Sequence, residues 1–220
     1  MATNQQDLGM KAPKTPEGLG IPYALVTDLV LRRILLDGKA NVASLARALA
    51  LHAGLVDNIV QELRDKKEIE VLGMEGRNYT LALTQFGQKH AYDRMAKTRY
   101  AGAAPVSLDV YRAVVARQRL AVSVNRAVLK DAFSDLVIAD ELLDELGPAL
   151  NANGAMFLYG PPGTGKTSIA ERVVRISPDM VLVPRALEVD GQIISVFDQT
   201  VHIPADEQPE ELDARWVLCS

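Results

Sequence analysis

Gly160-Pro161-Pro162-Gly163-Thr164-Gly165-Lys166-Thr167 decides how this 220-residue chain is read. The octet fits the phosphate-loop pattern G-x-x-x-x-G-K-[ST]. Just before it, Ala155-Met156-Phe157-Leu158-Tyr159 is a short apolar run bounded by Gly154 and Gly160, which predicts a buried parallel strand. Just after it, Ile169, Val173 and Ile176 recur at helical spacing until Pro178, which predicts an amphipathic helix. Strand, loop and helix thus stand in the order a phosphate cradle requires. The constrained positions of the octet match by chance somewhere in a chain of this length about one time in a hundred, and chance would not also supply the flanking elements.

Each residue type in the loop has a physical task. Glycine at 160, 163 and 165 lets the main chain curl so that successive N–H groups point at one anion, and the helix behind adds the positive end of its dipole. Pro161, Pro162, Thr164 and Ser168 complete the candidate nucleotide-binding set around these glycines. Lys166 is the candidate catalytic residue, an ammonium able to reach the β- and γ-phosphates, and Thr167 is the candidate metal ligand, offering its hydroxyl to Mg2+. The cofactors this chemistry implies are ATP, or a close nucleoside triphosphate, and Mg2+.

Working toward the N-terminus, Tyr100 to Ser107 is rich in small residues and carries Pro105, which predicts a linker at 100–107. Ser107 caps a helix expected to run to Arg119. Residues 1–20 hold scattered Gly and Pro without apolar periodicity and read as a flexible leader. Between them, 21–99 predicts three helices: one from Tyr23 to Asp37 ending at Gly38, one after the N-cap Asn41, and one with Leu55, Ile59 and Leu63 on a single stripe. The period then changes to a hairpin, Ile69 to Leu72 and Tyr79 to Leu83, followed by a helix from about Gln88 to Arg99.

Three helices, a hairpin and a helix is an order that resembles the winged helix-turn-helix domain. Leu83-Thr84-Gln85-Phe86-Gly87 is similar to the L-T-x-x-G step that follows the wing in many bacterial regulators of that kind. The octet resembles the Walker A sequence of AAA+ ATPases, and Phe133-Ser134-Asp135-Leu136-Val137-Ile138 resembles the AAA+ segment that lies near the adenine, which implies base contacts for Val137 and Ile138. In arrangement the chain is similar to a group of bacterial chaperone-like AAA+ ATPases with an N-terminal winged helix. The resemblance implies an α/β P-loop NTPase partial core at 108–220, a parallel sheet with flanking helices, preceded by a small α+β winged helix domain at 21–99. It also implies a homo-oligomeric ring and the remodelling of a partner.

Hydrolysis needs further groups: an acid on a second buried strand, a carboxylate that orients water, and an arginine for the transition state. None is evident. Asp140 and Glu141 follow an apolar run but precede the loop, where that topology has no such strand, and Asp198 is followed by Gln199 and preceded by the turn pair Asp190-Gly191. Only 53 residues follow Thr167, and Arg215 to Cys219 reads as a strand beginning, so the core is expected to be incomplete and this stretch to bind ATP without efficient turnover.

Charge separates the halves. Residues 21–100 carry 12 Lys/Arg against 9 Asp/Glu, whereas 101–220 carry 10 against 17. The third helix and hairpin, 51–77, hold six acids against four bases, with His52, Asp57, Asn58, Gln61, Glu62 and Arg64 as candidate exposed positions. Phosphate contacts dominate DNA affinity, so this balance favours a protein partner over DNA, with a nucleotide-responsive DNA-binding regulator as the alternative. The lone Cys219 excludes an internal disulfide, and the three histidines have no ligand-spaced companions. No run approaches the roughly 18 apolar residues of a membrane span, and no signal peptide opens the chain, so the expected compartment is the cytoplasm.

Overall fold

The computed structural model describes residues 12–75, 78–118, 124–152, 155–176 and 180–219. These fall into two units: one holds the described residues up to Gln118 and from Met180 onward, the other those between.

The first unit begins with a 3-10 turn, Glu17–Leu19, and helices α1 (Tyr23–Asp37), α2 (Val42–Leu49) and α3 (Ala53–Asp65). Their apolar stripes meet in one core, where Leu29, Leu45, Leu55 and Ile59 are at most 1% exposed. Asn41 caps α2 in a reciprocal capping box with Ser44, its side chain accepting from the Ser44 amide at 2.8 Å while the Ser44 hydroxyl accepts from the Asn41 amide at 3.0 Å. Strands β1 (Ile69–Glu75) and β2 (Asn78–Leu83) form the antiparallel hairpin, with a bulge between Val71 and Gly73.

Helix α4 (Gln85–Lys97) starts three residues earlier than its periodicity suggests, because Thr84 caps it by accepting from the Gly87 amide at 3.0 Å. The glycine of this Leu-Thr-x-x-Gly step has a steric reason: a Cβ on Gly87 would lie 2.0 Å from the carbonyl oxygen of Glu68. Only a residue without a side chain lets the first turn of α4 close on the strand entry.

Two expectations about loose segments give way. Residues 1–11 lie outside the described residues, but Leu19 is 1% exposed within the first core and Ile21 joins it. The stretch 100–107 is pinned: the Tyr100 hydroxyl donates to Ala103 O at 2.7 Å, the Ala104 amide to Leu49 O at 2.7 Å, and Arg32 to Tyr100 O at 2.7 Å. Small side chains here permit close backbone approach, which composition alone cannot distinguish from looseness.

Strand β3 (Val106–Ser107) leads into α5 (Leu108–Arg117). The second unit follows, with α6 (Arg126–Ala132), α7 (Asp140–Asn151) and α8 (Lys166–Val174) around a core of Leu129, Phe133, Leu143, Leu146 and Ile176. In the remainder of the first unit, β4 (Val181–Pro184) pairs antiparallel with β7 (Trp216–Cys219), and β5 (Ala186–Val189) pairs parallel with β3 and antiparallel with β6 (Gln192–Ser195). The β5–β6 turn uses Asp190 and Gly191, both at positive φ, as the turn pair predicts. Among the described residues no helix is long and apolar enough to cross a membrane.

Candidate functional site

The second unit carries the phosphate loop. Gly163 and Gly165 sit at φ +81° and +80°, with nothing within 4 Å of where a Cβ would stand. Glycine is needed there for the backbone conformation rather than for space, since an L side chain resists the left-handed region. Gly165 is the N-cap of α8, and the Ile169 amide donates to its carbonyl at 2.9 Å. The helix therefore opens directly out of the curl, with its unpaired first-turn amides at the loop.

Lys166 braces the curl from inside. Its Nζ donates to Gly160 O at 2.9 Å and Pro161 O at 2.7 Å and lies 3.5 Å from Thr164 Oγ1, while Thr164 Oγ1 donates to Pro161 O at 2.9 Å. The ammonium is thus held at the mouth of the loop by carbonyls, neutral acceptors that an anionic polyphosphate would outcompete. Gly160 to Gly165 are exposed, as is Thr167 in the first turn of α8, so both the cradle and the hydroxyl proposed for Mg2+ face solvent. Ser168 is half-buried and its carbonyl accepts from Arg172 at 3.4 Å. An open curl of left-handed glycines at a helix start, with one ammonium and one hydroxyl beside it, fits a magnesium-bound polyphosphate.

The run before the loop corrects the sequence reading. Residues 155–159 form no strand: Met156 and Leu158 pack half-buried on the core, whereas Phe157 and Tyr159 are 86% and 94% exposed. A strand is a ladder between two segments, and none of the described residues pairs with this one. Helices α6 to α8 cover one face only, so the apolar run is read on one side.

Val137 and Ile138 share a segment but not an environment. Ile138 packs on the core of the second unit, and Val137 is fully exposed. Asp135 beside them, absent from the sequence-based set, meets Arg172 at 2.9 Å and Arg175 at 3.0 Å. The Arg172 hydrogen bond, with Arg175 adding to it, holds the Asp135 carboxyl down at about 2. Arg172 near the end of α8 and Arg175 at its C-cap were the readable half of this signal; the acid lies 37 residues away from Arg172.

Asp140 and Glu141 occupy the first turn of α7, where acids complement the helix dipole. Asp140 meets Arg126 at 2.8 Å, and that contact lowers its pKa. The structural reading of this pair accounts for its position. Asp198 lies past the end of β6 and accepts from the Thr200 amide and hydroxyl, each at 2.8 Å. On α3, Asp57, Asn58 and Gln61 are exposed, His52 caps the helix, and Glu62 is engaged by the Tyr23 hydroxyl at 2.7 Å and by Lys66.

Residues 156–203 match the family model of AAA, the ATPase family associated with various cellular activities. The match begins one residue into the apolar run and contains the whole loop, so it supports an ATP-binding ATPase of the AAA kind. No curated protein matches the chain.

Proposed function

We propose that this chain is the nucleotide-binding part of an AAA+ ATPase subunit, taking ATP with Mg2+ on residues 160–168 and coupling that event to the remodelling of a partner. The observation that carries the reading is the glycine curl opening into α8 with the Lys166 ammonium at its mouth. In it, the main-chain amides from Gly163 to Lys166 hold the phosphates, Lys166 leaves its carbonyls for the β- and γ-oxygens, and Thr167 ligates the metal. The Thr167 hydroxyl would hold the magnesium ion, whose charge would offset that of the triphosphate. Val137 and Ile138 supply the base side.

Residues 21–99 serve in this reading as a winged helix adaptor for a protein, in a cytoplasmic homo-oligomeric ring. The acid-rich exposed face of α3 supports a protein over DNA, and retention of random duplex DNA at low salt would overturn that preference.

Calorimetric titration with MgATP tests the core of the proposal. Lys166→Ala should weaken binding about tenfold or more, as loss of a charge-assisted contact does, with the fold intact by circular dichroism. An affinity unchanged by the substitution would sink the reading.

A further inference from the structure

We infer that Asp135 is a positioning residue for the base side of the nucleotide site: its carboxylate, shared by Arg172 and Arg175, fixes the Val137 segment on the helix that opens at the phosphate loop. The inference rests on the nucleotide-binding reading above and adds to it the group that sets preference for a base over a bare polyphosphate.

The geometry begins with a turn. After α6 the Ser134 amide donates to Asp131 O at 3.1 Å and the Leu136 amide to Phe133 O at 2.9 Å, which projects Asp135 sideways while Phe133 and Leu136 pack on the core. Its two oxygens meet one guanidinium from α8 and one from the helix C-cap: Arg172 donates to Oδ2 at 2.9 Å and to Oδ1 at 3.4 Å, and Arg175 adds a contact to Oδ1 at 3.0 Å. Arg172 is the better anchored, with its side chain 17% exposed and its other nitrogen turned to Ser168 O and Glu171. One side chain therefore ties the 133–138 segment to a carbonyl in the first turn of the helix that the loop opens into.

Val137 shows what is being held. Between the half-buried Leu136 and Ile138 it stands fully exposed, a branched apolar group with no cover within its own unit. A purine is an apolar plate, and a plate gains from such a group only if the group is held still relative to the phosphates. Packing of Leu136 and Ile138 sets the height of the segment, and the shared carboxylate stops it sliding along α8. An isolated exposed ion pair does little, but one carboxylate serving two arginines, one of them mostly buried, forms a small network.

Parallel titrations with MgATP and with magnesium tripolyphosphate separate the possibilities. Wild-type protein should bind both. Asp135→Asn, which keeps shape and removes charge, should weaken ATP binding about two- to fivefold, the scale of a surface ion pair, while tripolyphosphate affinity stays the same. Reversing the charges, with Asp135→Arg combined with Arg172→Asp and Arg175→Asp, should recover part of the lost ATP preference. An unchanged ATP-to-tripolyphosphate ratio in Asp135→Asn overturns the inference alone. Equal loss of both ligands also overturns it, since the residue would then be merely structural. Wild-type protein that binds neither ligand removes the nucleotide reading, and the inference with it.

Discussion

Helices α3 and α8, of 13 and 9 residues, are opposite in construction. In α3, Leu55, Val56, Ile59, Val60 and Leu63 are buried, so the helix is held by its side chains. In α8 no residue is buried; Ile169 and Val173 are only half-covered, and the definite features are the left-handed glycines ahead of it and the arginines behind. One helix exists to fill a core, and the other to present its N-terminus. The difference teaches that the two helices are specified differently, α3 by burial and α8 by the backbone conformation ahead of it.

The largest expected effect tests the burial side. Ile59 is fully buried on α3, and Ile59→Ala should cost about 2–5 kcal/mol through lost transfer energy and the cavity left behind. Thermal or urea unfolding measures it, and ATP affinity at a temperature well below the transition should not change. A substitution that lowered nucleotide affinity as much as stability would break the comparison.

Backbone conformation is tested by Gly165→Ala. No atom obstructs the new Cβ, so the cost comes from φ +80° alone, about 1–2 kcal/mol. Because α8 contributes little buried surface, that strain should appear mainly as weaker MgATP binding, roughly five- to thirtyfold by the same figure. The midpoint of thermal unfolding should move little. Unaltered binding would mean that the curl is not what holds the anion.

The same contrast explains what could be read in advance. Stripes such as Leu55, Ile59 and Leu63 announce burial, and Asn41 or Asp190-Gly191 announce local backbone chemistry, so α2, α3 and the β5–β6 turn were legible. The loop octet was legible for the same local reason. Residues 155–159 were misread because a strand requires a neighbour, which no run of apolar residues can specify. Leu19 and the 100–107 stretch were misread because anchoring by one leucine, or by a carbonyl such as Leu49 O, leaves no periodic mark. Asp135 escaped because an ion pair across 37 residues is a fact of three dimensions.

Tyr100 sharpens the burial side at its smallest scale. Its phenol lies against the first core and donates to Ala103 O at 2.7 Å, closing the stretch that composition reads as a linker. Burial, partly offset by Arg185, pushes its pKa up to about 12. In the unfolded chain the phenol ionises near 10. A pKa raised by folding gives stability that is complete below the unfolded value and is lost as pH rises toward the folded one, so this contribution should drain away between about pH 10 and 12. Tyr100→Phe should cost about 0.5–1.5 kcal/mol at neutral pH, the net value of one hydrogen bond, and should flatten the loss of stability across that alkaline window. Ultraviolet titration reads the group directly, because the variant should lose one of the two late-ionising phenols, leaving Tyr23, which burial and Glu62 also push up to about 12. If the 100–107 stretch were a loose tether instead, Tyr100 would ionise with the exposed tyrosines and neither change would be seen.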